Sequence, residues 1–154
     1  MAEERERSKR SAFDAAQGDR DKTLAAVHEL EEALSRAAGG DRWIDDLRSS
    51  LDALQAAMSE ELEELTRPDS LMAMVASEHP RRFGPRVRGI RDQYDDIIRH
   101  LGTFRRELDG HSITDTGDLR ERAGWIVMAL RNCRNRQADL VFDALRLDLG
   151  KASR

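Results

Sequence analysis

Three stretches of this chain carry an unbroken heptad pattern, and that periodicity restricts the fold more than any other feature. Ile44, Leu47, Leu51, Leu54, Met58, Glu61 and Leu65 recur at alternating spacings of three and four. The same alternation links Val87, Ile90, Tyr94, Ile97, Leu101, Phe104 and Leu108. A third series runs through Leu119, Ala123, Ile126, Leu130, Cys133, Gln137, Leu140, Ala144 and Leu147. A helix turns about 100° per residue, so this spacing collects side chains on one face, whereas a half-buried strand needs strict alternation. The pattern predicts three long amphipathic helices. Leu24, Val27, Leu30 and Leu34 define a shorter stripe for another, with His28 at its edge.

Helix-breaking and capping residues divide the rest. The first helix is expected to open near Asp19 or Asp21 and to stop at Gly39-Gly40. Asp41 would cap a second helix running to Arg67, where Pro68 ends it. Residues 69–84 read as a short helix and a turn. Pro85 suits the first turn of a third helix that Gly110 closes. The segment HSITDTGD supplies caps for a fourth, from Leu119 to Gly150. Residues 1–18 read as a charged arm, loose or forming a short dockable helix, with Phe13 as its apolar anchor; 151–154 form a tail. The expected fold is all-α: one antiparallel up-and-down four-helix bundle over residues 19–150, with a short helical connector between helices 2 and 3.

Composition removes several classes. The chain has 154 residues, long enough to bury one respectable core. No run of about 18 uncharged apolar residues occurs, so no membrane span is expected. A net charge of −4 and the lack of a reader motif argue against nucleic acid. The amino terminus, MAEERERSKR, lacks the apolar core of a signal peptide, and the single Cys133 fits a reducing, cytoplasmic setting. The basic clusters at Arg81–Arg91 and Arg131–Arg136 read as solvated faces paired with acids. The methionines at 58, 72, 74 and 128 are expected to fill core gaps, with Met72 and Met74 also able to form a partner surface. Trp43 and Trp125 read as core or interface anchors.

The informative positions are those where the apolar seam fails. Glu61, Tyr94, Cys133 and Gln137 fall on core positions. At about 1.5 Å of rise per residue they lie at similar depths from their helix ends. A buried carboxylate is costly unless it is paired, coordinated or protonated. His28 is therefore expected to sit hydrogen-bonded beside the core, with Glu61 as its partner; alternatively Glu61 keeps its proton, donating to Gln137 or accepting from Tyr94.

These residues and their flanks resemble the hemerythrin-like (HHE cation-binding) family. The carrying segments are VHELEEAL, AMSEELEEL, HPRRFGPRVRGIRDQYDDII and CRNRQADLVFDALRLDLG, spanning roughly residues 20–150. The resemblance implies a bacterial-type four-helix bundle whose core, in the family, holds two irons on histidines and carboxylates. Carried over position by position, it describes a loss. His28 stands at the first-helix histidine and Glu61 keeps a carboxylate. Ala57 and Tyr94 replace histidines, and Cys133 and Gln137 replace a histidine and a glutamate. His79, His100 and His111 fall outside the matched places. No cofactor is therefore expected, because a neutral amide and a methyl group cannot supply the charge two irons need.

The function expected from this reading is non-enzymatic. The bundle would bind a small molecule or a protein partner through a pocket lined by His28, Glu61, Tyr94, Cys133 and Gln137, or through the helix 2–3 connector. A homodimer through Trp43 or the methionine connector is a further expectation. Two alternatives stay open. One is an oxygen- or redox-linked metalloprotein in which His28 and Glu61 hold one metal, iron foremost, with Tyr94 or Cys133 completing the set. The other is a metal-free enzyme using Glu61 or His28 as acid or base, with Cys133 as a nominal nucleophile.

Overall fold

The apolar stripes become the inner faces of long helices. The computed structural model describes residues 1–36, 40–110 and 115–152, and among them every regular element is a helix. In chain order these are α1 (Ala2–Ser35), α2 (Gly40–Thr66), α3 (Leu71–Glu78), α4 (Pro80–Asp109) and α5 (Thr116–Ala152). Four are long, and α3 is the short connector expected between the second and third long helices. Among the described residues no helix is long and apolar enough to cross a membrane.

Local chemistry sets the boundaries. Ser70 caps α3: its hydroxyl accepts from the Ala73 amide at 3.1 Å and donates to the Leu65 carbonyl at 3.0 Å. Asp115 caps α5 by accepting the Gly117 amide at 2.9 Å. The Gly110 amide closes α4 on the Arg106 carbonyl at 2.9 Å. Pro80, not Pro85, opens α4, and Pro85 lies inside it. The amide that Pro85 lacks would have met the carbonyl of Arg81, an exposed residue in the first turn of the helix. The expected stop at Gly39, the segment around His111 and the tail beyond 152 lie outside the described residues, as does the Asp41 side chain.

Helix α1 departs most from expectation. It starts at Ala2 and passes through Gly18, Asp19 and Asp21 without interruption. Alanine, glutamate, arginine and lysine dominate its first half and favour helix even without an apolar stripe. That half carries little core: Ala12 is buried and Phe13 remains 49% exposed. Farther along, the inward stripe is Thr23, Ala26, Val27, Leu30 and Ala33, while Leu24 turns outward. Of the expected stripe, Val27 and Leu30 are buried and Leu34 packs against the core, so Leu24 is the one member that turns outward, and Thr23 takes its place.

Helices α2, α4 and α5 bury the heptad positions as read, except that Ile44 and Leu147 at the outer ends are half-buried against the core. Leu47, Leu51, Leu54 and Met58 meet Ile90, Ile97, Leu101 and Phe104 in one cluster with Ile126, Leu130 and Leu140. Each large apolar side chain so buried stabilises the fold by about 1.5–3 kcal/mol before entropy is counted. Polar contacts align the pairs. Trp43 Nε1 donates to the Ala33 carbonyl at 2.8 Å, joining α1 to α2. Arg91 reaches the Leu65 carbonyl at 3.1 Å, joining α4 to α2, and Arg86 pairs with Asp143 of α5 at 2.8 Å. Arg131 pairs with Glu31, so each expected basic cluster has one arginine on an acid, whereas Arg134 and Arg136 are held by the Arg20 carbonyl and by Gln93. Met128 is a correction: it is an exposed residue rather than a core filler, and half-exposed Trp125 stands edge-on to His100 with ring centroids 4.6 Å apart.

Candidate functional site

Each long helix contributes one buried polar side chain to a single cluster: Thr23 from α1, Glu61 from α2, Tyr94 from α4 and Gln137 from α5. The three from α2, α4 and α5 occupy heptad positions, so the same periodicity that buries leucine carries them inward. Tyr94 donates its hydroxyl proton to Glu61 Oε1 at 2.7 Å. Gln137 Nε2 donates to the Tyr94 oxygen, also at 2.7 Å. Thr23 Oγ1 lies 2.7 Å from Glu61 Oε2 and 3.1 Å from the Asp19 carbonyl.

Proton arithmetic makes this set self-sufficient. A threonine hydroxyl has one proton and can also accept. With Glu61 ionised, Thr23 donates to Oε2 and both carboxylate oxygens are satisfied. With Glu61 protonated on Oε2, the carboxylic acid donates to Thr23 and Thr23 donates to the Asp19 carbonyl. Neither state leaves the carboxyl group unpartnered, which meets the condition for a tolerable buried network. Burial pushes the Glu61 carboxyl above its ordinary range, opposed by the hydroxyls of Thr23 and Tyr94 and by the positive charges of Arg134 and Arg20. Burial and the neighbouring carboxylate also raise the Tyr94 hydroxyl.

Cys133, one turn before Gln137, is fully buried. Burial first, and then the charge of Glu61, push its thiol up to about 12. Nucleophilic and metal-binding chemistry both use the thiolate, so this environment suppresses them. Four of the five residues singled out in the sequence therefore share this region of the core. His28 does not join them. Its side chain is 66% exposed, and its nearest acid is Glu31, with Nδ1 3.9 Å from a carboxylate oxygen. It follows Val27 by one residue and so points about 100° away from the core. Thr23 holds the α1 place instead. The signal for it was available: continuing Leu34, Leu30 and Val27 backward by the same spacing reaches position 23.

The donor set does not fit a pair of irons. One carboxylate, a phenol, an alcohol and a primary amide meet here, with no imidazole, and both carboxylate oxygens already accept hydrogen bonds. A cavity of ≈ 30 Å³ opens beside Glu61 and Gln137, bounded by Arg20, Glu64 and Leu65. At roughly 10–15 Å³ per water, it has room for about two waters. It is too small for the small-molecule ligand expected in the core. Among the described residues, metal-capable side chains converge elsewhere: atoms of Glu78, His79 and Asp148 lie within 4.8 Å of one another. The Lys9 ammonium already sits 3.0 Å from Glu78 there.

Comparison with known proteins adds no relative: no family model, no curated protein and no solved structure matches this chain.

Proposed function

We propose that this chain is a hemerythrin-like, antiparallel up-and-down bundle whose di-iron position has been refilled by hydrogen-bonded side chains, and that it acts as a non-enzymatic binding module through its surface. The observation that carries the reading is the state of Glu61, whose two oxygens are taken by Tyr94 and Thr23. Residues matched to the family's ligand positions, Glu61, Tyr94 and Gln137, lie in one hydrogen-bonded set drawn from three helices. Contacts such as Thr23 with Glu61 and Ala33 with Trp43 fit helices running in opposite senses. The chemistry left in the core offers neither an open coordination position nor an accessible nucleophile. Binding is then left to the outer faces of the helices and to the connector.

Metal analysis tests this directly. The protein is purified, loaded with Fe(II) without oxygen, exposed to air and desalted. The expected result is less than a tenth of an equivalent of retained metal and no charge-transfer absorption. Near-stoichiometric iron that Glu61→Gln abolishes would overturn the reading.

A further inference from the structure

Helix α5 carries two stripes. The inner one holds Leu130, Cys133, Gln137 and Leu140 in the core. The outer one is also partly apolar: Trp125, Met128 and Phe142 are 50%, 72% and 59% exposed. Met128, Asn135 and Phe142 recur every seven residues and so share one face, with Trp125 a turn from Met128 on its flank. Contacts on either side show that this face stands clear of the bundle. Arg131 turns aside to Glu31 of α1, and Trp125 leans on His100 of α4. Asn135 is exposed at the middle. Leu145, also exposed, instead lines a groove of ≈ 350 Å³ between α1, α3 and α5 that begins at Val141.

The order of these residues along α5 identifies what covers them. Met128 lies seven positions before Asn135, and Phe142 lies seven after it. A second α5 laid antiparallel about a two-fold axis at Asn135 therefore sets Met128 of each copy against Phe142 of the other, about 10 Å from the axis. Trp125 and Arg146 stand three heptads apart on one flank, ten positions before Asn135 and eleven after it, so they too come opposite each other. The Arg146 guanidinium lies over its own Phe142 ring at 5.8 Å, and no acidic partner holds it among the described residues. The remaining charges on the flanks do not meet their like: Asp139 falls opposite Asn132, and Arg131 opposite Ala138.

We propose that the outer face of α5 pairs, antiparallel, with the same face of a second copy of this chain. The Met128 sulfur packs on the Phe142 ring of the other copy. Arg146 covers the other copy's Trp125 indole. The two Asn135 amides meet at the axis and exchange hydrogen bonds, which fixes the register. Every other contact occurs twice, the isologous arrangement that a two-fold dimer requires. From Trp125 to Arg146 the paired surface extends over about 30 Å of helix. The inference rests on the reading of the chain as a surface-binding module and names its partner.

Sedimentation velocity over a hundredfold range of protein concentration tests it. The expected result is a concentration-dependent dimer that Met128→Glu and Phe142→Glu each weaken tenfold or more with unchanged helicity, since both side chains are exposed in the single chain. Disulfide capture reads the direction of pairing, because buried Cys133 stays silent. Asn135→Cys should link two chains on mild oxidation, whereas Met128→Cys, about 20 Å from its own copy, should not. A monomer throughout, a dimer indifferent to both glutamates, or capture at 128 without capture at 135 would overturn the inference. Iron content measured on the same samples separates the two levels. A metal-free monomer removes the dimer and leaves the binding-module reading, whereas stoichiometric iron removes that reading whatever the mass.

Discussion

Thr23 Oγ1 stands 2.7 Å from Glu61 Oε2, so an alcohol on α1 meets the buried carboxylate of α2. The same hydroxyl also reaches the Asp19 carbonyl at 3.1 Å, and one proton cannot serve both acceptors. The core is thereby able to hold Glu61 charged or neutral, and several measurable properties depend on which.

Stability should depend on pH through Glu61. Its carboxyl is raised by burial above the ordinary 4.5. Between that value and its raised position, the folded chain holds a proton that the unfolded chain has released. Stability therefore falls as pH rises through the window, and levels off above it. Glu61→Gln preserves the shape: its carbonyl accepts from Tyr94 and its amide donates to Thr23. Urea unfolding from pH 4 to 8 should show the variant gaining on the natural chain as pH rises. A difference that is flat, or that runs the other way, contradicts the raised carboxyl.

Tyr94 and Thr23 should prove energetically coupled. Tyr94→Phe leaves Glu61 Oε1 and Gln137 Nε2 without their partner, and Thr23→Val strips Oε2. Each substitution is expected to cost about 1–3 kcal/mol. Because both hydroxyls address one carboxyl group, the double variant should depart from additivity by about 0.5–3 kcal/mol. Additive losses would mean that the two contacts are independent.

Cys133 should be inert in the folded chain. With its thiol pushed up to about 12, about one molecule in ten thousand is ionised at pH 8. Its side chain is also closed to solvent. A disulfide reagent is expected to react at the rate of global opening, accelerating with denaturant in step with unfolding. Fast labelling without denaturant would place the thiol outside the core.

The first half of α1 should open independently of the bundle. It is held by Ala12, by half-exposed Phe13 and by the exposed Lys9–Glu78 pair, a contact of the kind that contributes about 0–1 kcal/mol. A helix of that length is marginal once undocked. Amides of residues 3–17 should exchange with deuterium far faster than those of 24–34. Equal protection across α1 would show that the arm belongs to the same cooperative unit as the core.

His28→Ala should be nearly silent, within about 0.5 kcal/mol in stability, because the ring is exposed and makes one long contact with Glu31. A large loss would indicate a role that its position on the outer face of α1 does not supply.

The heptads of α2, α4 and α5 were legible because nearly every position that carries their phase is apolar. Glu61, Tyr94, Cys133 and Gln137 were legible for the same reason: a polar residue in an otherwise apolar series stands out. In α1 the phase is carried by Thr23, Ala26 and Ala33, which are small or polar, while the conspicuous Leu24 lies outside. Starting the stripe at Leu24 instead of Thr23 leaves Thr23 out of the expected site and puts His28 at its edge. The arm was illegible to periodicity because helix propensity, not an apolar stripe, makes it helical. Pro85 looked like a helix start because both it and Pro80 tolerate the first turns of a helix, and sequence spacing does not rank them.

The two tryptophans give the molecule an uneven set of optical reporters. Arg120 of α5 lies 6.0 Å over the Trp43 ring, and Trp125 follows on the same helix, so both indoles lie toward one end of the bundle. Val141, where the groove begins, lies 16 residues beyond Trp125, or about 24 Å along the helix. Intrinsic emission thus watches the α1–α2 corner through Trp43 and the α4–α5 contact through Trp125, and is blind to the arm and the connector. A melt followed by fluorescence will report one transition even if the arm has already left, and a tryptophan placed at Phe13 would make the other end visible.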